Sequence, residues 1–362
     1  MTIEPLQIPA DQLIRFGSSI FQAAGVPVEE ADIVATSLVG SNLRGHDSHG
    51  VVRIPRYLPQ LEKGELLAGV ELKVTSETAA LLCADAGFGF GMVQMTRLID
   101  RLVEKVDALG VACGTLSRCG HVGRLGEWAE AVAMTGRAGL VTVNDNGVLK
   151  CVAPPGGVEP TVSTNPIAIG VPTDGDPLVL DISTSVVANG KILVRHTSGE
   201  SCPEGWLLDA EGRPTTDPAV RFSDPRGTIL PAGGYKGFGL AMLLDILVGG
   251  LSGGNCPPAP SGAPGTNNVL LIIWDPERFS GQEHFEAEAD RLIAFVRGVK
   301  RRDDVESIRL AGDRSAATMA ERLEQGVPLD AGTWSSLCEA ADSLGIKPPE
   351  SATGGNARSS GV

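Results

Sequence analysis

Two of the chain's five histidines, His46 and His49, fall in one short polar run, Arg44-Gly45-His46-Asp47-Ser48-His49-Gly50, with Arg53 and Tyr57 close behind. An imidazole beside a carboxylate and a hydroxyl can be tuned to move protons near neutral pH. Arg44 and Arg53 carry planar guanidinium forks that match a carboxylate. Glycines at both ends of the run let the backbone turn and approach a ligand. A surface turn held by a polar network is the alternative for the same residues.

A second cluster is Ser117-Arg118-Cys119-Gly120-His121-Val122-Gly123. It follows an apolar, strand-like stretch and precedes a helix, so His121 is expected at a helix N-terminus. The positive end of the helix dipole favours a neutral imidazole and hence a competent base. Otherwise the histidine simply caps that helix. A third cluster is Pro231-Ala232-Gly233-Gly234-Tyr235-Lys236-Gly237-Phe238-Gly239. Glycines and a lysine opening a helix form a cradle for phosphate or carboxylate. The spacing is not that of a Walker A loop, and a glycine turn packed under the core is the structural alternative. Asp181-Ile182-Ser183-Thr184-Ser185 ends a strand, and Asp181 is suited either to ribose hydroxyls or to capping the next helix.

Two other patterns lead nowhere. Gly87-Phe-Gly-Phe-Gly91 misses the dinucleotide fingerprint, because the third glycine of GxGxxG falls on Met92. Gly45 to Gly50 is one residue longer than the nucleophile elbow GxSxG and lacks its strand-turn-helix setting.

The elements that must position these residues follow from hydrophobic spacing. Leu13, Ile14, Ile20, Phe21 and Ala24 form one helical stripe, and Ala31, Val34 and Leu38 form another beyond Pro27. The polar run 44–50 interrupts this helical region. An amphipathic helix is expected over 92–109, with Leu98, Ile99, Leu102 and Val106 inside, and another over 125–134. Buried strands are expected at 140–143, 167–171, 178–181 and 269–274. The run 238–251 is apolar enough to be a helix lying deep in the core. Helices return at 285–296, at 317–324 and near Thr333, and a Ser/Gly-rich tail follows. The sequence divides into a helical unit from 1–75 with 283–348, a mixed α/β unit at 76–282, and a disordered tail at 349–362.

Composition narrows the function. At 362 residues the chain exceeds the size at which one core stops growing. A formal charge of −14 and 4% aromatic residues argue against a nucleic-acid partner, which needs clustered cations and stacking platforms. An anionic substrate then needs a local basic pocket. The seven dispersed cysteines contain no CxxC, which argues against a disulfide scaffold or a structural zinc. The opening residues do not read as a secretory signal, and the apolar run near 240–251 is broken by Asp245 and glycines, so a cytoplasmic protein off the membrane is expected.

Several segments occur together in a specific order: the 44–50 run with Arg53 and Tyr57, Gly120-His121-x-Gly123, Gly156-Gly157, Thr164-Asn165-Pro166, Leu180-Asp-Ile-Ser-Thr-Ser185, Pro203-x-Gly-Trp206, Thr215-Thr-Asp-Pro218 and Pro231-x-Gly-Gly-x-Lys-Gly237. Over residues 10 to 320 the chain resembles the malate/L-lactate dehydrogenase family of non-Rossmann NAD(P)-dependent oxidoreductases. That group also holds ureidoglycolate and sulfolactate dehydrogenases and piperideine- and pyrroline-carboxylate reductases. The resemblance implies an α/β fold in which a mixed-sheet cofactor domain is inserted into a helical domain built from both chain ends, and a homodimer. It implies hydride transfer between NAD or NADP and a small 2-hydroxy or 2-oxo acid, with reduction of cyclic imino acids as the alternative. His121 matches the acid/base histidine, with Ser48 and His49 as a proton-relaying pair and Arg44 and Arg53 as carboxylate binders. The stretch His121, Val122, Gly123, Arg124, Leu125 matches cofactor contacts, as do Asp181, Ile182, Ser183 and Lys236, and no metal is implied. The chain departs from the family at Arg118-Cys119, at Lys150-Cys151, and at Lys191, where the imine reductases tend to carry an acidic residue. A metal-dependent hydrolase built on His46, Asp47, His49 and His121, and a silent nucleotide-binding protein, are the other readings these residues allow.

Overall fold

The computed structural model describes residues 5–349, so the tail expected from 349 onward lies outside them except for Pro349. A sheet of seven strands runs in the order Lys73–Glu77, Leu81–Asp85, Val111–Cys119, Asn267–Trp274, Ala138–Asn144, Ile167–Val171, Leu178–Ile182. Only Leu81–Asp85 and Val111–Cys119 are parallel, and the helix Gly91–Leu109 crosses over between them. Every other neighbouring pair is antiparallel. A doubly wound parallel sheet is thereby excluded, as the failed glycine fingerprint implied. The late strand Asn267–Trp274 sits at the centre, which its unbroken apolar run Val269 to Ile273 suits.

The helix Gly91–Leu109 turns Leu98, Leu102 and Val106 inward. A side chain at Gly114 would meet Leu102 at 2.7 Å, so that glycine lets the helix settle on the sheet. The two chain ends meet. Helix Asp313–Gln325 packs on Val28–Leu43, and Ala331–Asp342 on Ile54–Glu62. Strand Leu6–Ile8 pairs antiparallel with Val327–Leu329; three residues are too few for periodicity to have revealed either strand. A continuous core joins Phe16, Ile20 and Leu38 of the N-terminal helices to Leu102, Leu271 and Leu337. A smaller core around Val152, Ile192, Leu207 and Ile229 supports the stretch that carries Asn189–Ser198. All seven cysteines are free thiols.

The apolar helix departs from expectation. It spans Tyr235–Ser252 and buries one face, through Gly237, Ala241, Leu244, Asp245 and Val248. Leu243 and Leu251 are each 56% exposed and Ile246 is 53% exposed. The helix therefore does not lie deep in the core of this chain, although its composition, apolar all round, reads that way. It is long and apolar enough to cross a membrane by length and composition, but its inner face packs on the strands Asn267–Trp274 and Ala138–Asn144.

Candidate active site

The 44–50 run is shaped by both chain ends. Helix Val28–Leu43 stops at Arg44, and single 3-10 turns follow at Asp47–His49 and Val51–Arg53 before helix Ile54–Glu62. Buried Asn42 donates to Asp47 Oδ1 at 2.7 Å and accepts from the Val51 amide at 2.9 Å. Gly50 is required there, because a Cβ would fall 2.1 Å from Asn42 Oδ1. From the other end of the chain, Arg322 donates to both Asp47 oxygens, at 2.7 and 3.2 Å, and to the Asn42 carbonyl at 2.5 Å. Asp47 is thus a structural carboxylate.

Close packing of backbone fixes the second loop. A Cβ at Gly91 would lie 2.4 Å from the carbonyl oxygens of Gly120 and His121, so the start of helix Gly91–Leu109 presses on the turn that carries the histidine. Asn267 Oδ1 accepts from the Val122 amide at 3.2 Å, and Trp128 Nε1 donates to the Val122 carbonyl at 2.8 Å. His121 precedes the helix Leu125–Ala133 by four residues and is not its cap. Asp181 takes that role across the fold, accepting from the Gly126 amide at 2.8 Å. Asp181 does cap a helix, but one earlier in the chain than expected.

These two loops bring His49 and His121 together with ring centroids 5.5 Å apart and planes 24° from parallel. Ser48 Oγ lies 3.1 Å from His49 Nδ1, and Arg53 Nε donates to the Ser48 carbonyl at 2.7 Å. Tyr57 Oη is 2.8 Å from His121 Nδ1. Tyr57 was visible as a neighbour of the motif but without a role; the spacing His49, Arg53, Tyr57 at every fourth position is the signal that could have placed it on the same face.

Burial decides the charges. It depresses His49 to about 3, aided by the Arg53 guanidinium and by His46 and Arg124. Burial also holds His121 well below the ordinary imidazole value, again with Arg53 and His49 contributing. Burial lowers His46 as well. The Tyr57 phenol is pushed far above its usual range by burial and keeps its proton. Burial lowers Arg53 from the ordinary guanidinium value, yet a guanidinium stays charged. The result is a pair of neutral imidazoles beside the Arg53 guanidinium, an arrangement suited to an anionic substrate with an oxygen that gains or loses a proton. Among the described residues no group of three or more His, Cys, Asp or Glu is placed to hold a metal ion.

Arg44 is ion-paired to Glu130, which Arg124 also holds at 3.0 Å, so its guanidinium is occupied where Arg53's terminal nitrogens have no acidic partner among the described residues. The side chains of Val122, Arg124 and Leu125 are buried at 2%, 6% and 4% exposure, and Gly123 has φ +74, so this loop offers a ligand chiefly backbone.

Beyond Asp181, Ile182 is 43% exposed and Ser183 Oγ donates to the Ser185 carbonyl at 2.8 Å. The glycine turn packs directly on this stretch: the Ala232 amide donates to the Thr184 carbonyl at 2.9 Å, and a Cβ at Gly237 would meet that oxygen at 2.4 Å. Gly233 and Gly234 adopt φ of 60° and 65°, the left-handed region that favours glycine. Lys236 is exposed at the start of the helix and has no acidic partner among the described residues. The glycine turn that leads to Lys236 therefore packs against the stretch that follows Asp181, and Asp181 ties that stretch to the helix just after His121.

Known proteins resemble this chain over most of its length. The family model described as malate/L-lactate dehydrogenase matches residues 8–338. Hydroxycarboxylate dehydrogenase B of Escherichia coli is 35% identical over 342 residues, covering 93% of this chain and 94% of that protein. The NADP(+) (2R)-3-sulfolactate dehydrogenase of Chromohalobacter salexigens is 34% identical, covering 84% of this chain and 89% of its own length. Among solved structures, delta1-piperideine-2-carboxylate reductase of Pseudomonas syringae superposes with a TM-score of 0.82 at 31% identity, over 92% of this chain and 99% of that one.

Proposed function

The chain belongs to the malate/L-lactate dehydrogenase family, and from that premise we propose that it interconverts a small 2-hydroxy acid and the corresponding 2-oxo acid with NAD or NADP. The observation that carries the reading is the neutral His49–His121 pair beside the open guanidinium of Arg53. The neighbouring surface fits a dinucleotide. Lys236 at a helix start, after two left-handed glycines, suits a phosphate, and Ser183 and Asp181 offer polar atoms to a ribose. When bound, the dinucleotide supplies or takes the hydride at the substrate α-carbon. Arg53 binds the carboxylate through its two terminal nitrogens and so holds the α-carbon in place. His121 and His49, with Ser48, manage the proton of the substrate oxygen, which leaves in oxidation and returns in reduction. Arg44 joins as a second carboxylate contact by exchanging Glu130 for substrate. The backbone of Val122, Gly123, Arg124 and Leu125 and the exposed Ile182 complete the cofactor wall.

A second copy of the chain is the natural cover for the exposed apolar face of Tyr235–Ser252, which supports a homodimer. We assign the protein to the cytoplasm, with 1–75 and 283–348 as the helical unit, 76–282 as the cofactor unit and the cleft where they meet. The similarity to an imine reductase keeps cyclic imino acids as the second substrate class. Lys191 weighs against it, since the imine reductases tend to carry an acidic residue there, whereas here burial, joined by the Lys191 charge, lowers His46. The test is a panel of 2-oxo acids and cyclic imines with NADH and NADPH, followed at the nicotinamide absorbance. Turnover of 2-oxo acids is expected; turnover of imines alone would transfer the assignment to the second class, and no turnover of either would end it.

A further inference from the structure

The Nδ1 nitrogen of His121 has two partners, Tyr57 Oη at 2.8 Å and the Gly123 amide at 3.3 Å. A backbone amide can only donate, so Nδ1 presents its lone pair and the tyrosine hydroxyl donates to it as well. A neutral imidazole carries one proton, which must then sit on Nε2. We infer that Tyr57, together with the Gly123 amide, fixes His121 as the Nε2–H tautomer, so that the resting ring meets the substrate oxygen as a hydrogen-bond donor. Tyr57 is on this account a positioning residue acting through His121. That the oxygen belongs to a 2-oxo acid rests on the proposed function; the tautomer does not.

Tyr57 is well placed for this. It is 4% exposed, with the rings of Phe21 and Phe90 at 6.5 and 6.1 Å, so it has little room to swing away. A donor at Nε2 is matched to a carbonyl oxygen, which it polarises toward hydride attack at carbon, as neutral imidazoles do elsewhere. A 2-hydroxy acid needs the opposite tautomer, with Nε2 empty to accept its proton. Tyr57 holds that form less well, because a phenol donates more strongly than it accepts, and the Gly123 amide then faces an N–H and its bond is lost. The structure thus favours the form that greets the oxidised substrate, and both partners of Nδ1 favour it.

Nitrogen-15 spectra of histidine-labelled protein test this without substrate, with His121 assigned by its disappearance in His121→Gln. Near neutral pH the wild-type ring should show a protonated Nε2 and a bare Nδ1. In Tyr57→Phe the two nitrogens should move toward each other as the tautomers mix, and kcat should fall about tenfold, as for one net hydrogen bond, with dinucleotide Kd unchanged. A wild-type ring protonated on Nδ1 would overturn the inference whether or not the variant folds. So would a Tyr57→Phe spectrum identical to wild type, which would mean that the amide alone suffices. A protein that reduces no 2-oxo acid would sink the dehydrogenase reading while leaving the tautomer decided on its own evidence.

Discussion

The two regions proposed for the substrate and the dinucleotide are built differently. On the substrate side, side chains from distant segments lock one another: Arg322 grips Asp47, Asn42 spans the turn, and Tyr57 backs His121. On the dinucleotide side the work falls to backbone, with left-handed glycines, a carbonyl seated under Gly237, and a single exposed lysine. A proton-transfer group must hold its position to a fraction of an ångström, and packed side chains provide that. A phosphate is a diffuse charge that amides and one mobile cation can accept. Damage to the first region should therefore strike turnover, and damage to the second should strike cofactor affinity.

The sharpest break is His121→Ala, expected to lower kcat by about 10²–10⁴, the range for loss of a positioned acid or base. Dinucleotide Kd, read by fluorescence titration, should change little; a parallel collapse of binding would erase the distinction between the regions. Arg53→Ala should come next, raising substrate KM and lowering kcat/KM by about 10- to 100-fold, as for one charge-assisted contact. Arg44→Ala should do less, because Arg44 is already paired with Glu130; equal losses would show that the two arginines share the carboxylate.

Glu127 sharpens the contrast through stability. Burial raises it to about 7, and Ser37 Oγ donates to it at 2.7 Å. The unfolded carboxyl loses its proton near 4.5 while the folded one keeps it to about 7, so the native state binds more protons across that window and stability falls as pH rises through it. The expected loss is on the order of 2 kcal/mol. Denaturant melts of Glu127→Gln at pH 5 and pH 8 should lack this slope; a slope unchanged from wild type would assign it to other groups. Smallest of all, Lys236→Ala should raise cofactor KM several-fold with kcat kept, roughly 1 kcal/mol, as for a partly screened ion contact. A loss confined to kcat would move Lys236 out of the phosphate role.

The sequence made the chemistry legible where it was local. The polar runs at 44–50, 117–123 and 231–239 needed only residue types and short spacings, and the hydrophobic pattern marked the helices near 92–109 and 125–134 and the strands near 140–143, 167–171 and 178–181, but not the strands Lys73–Glu77 and Leu81–Asp85 or the helix Asn189–Ser198. What escaped depended on the third dimension. Asp181 caps a helix that begins far upstream, Asn267 reaches the Val122 amide across the central strand, and Arg322 clamps Asp47 from the opposite end of the chain. No local pattern marks such pairs. The helix Tyr235–Ser252 misled for another reason: its composition asks for cover on all sides without saying whether this chain or a second copy provides it.

The central claim is that an acid anchored on Arg53 presents its oxygen to imidazole 121. A crystal structure with a dinucleotide and oxamate, a non-reactive 2-oxo acid mimic, measures this directly. The carboxylate should lie on the Arg53 guanidinium with the amide carbonyl oxygen within hydrogen-bond reach of His121 Nε2. Oxamate bound with its carbonyl turned away from His121, or held by other cations with Arg53 left bare, would contradict it.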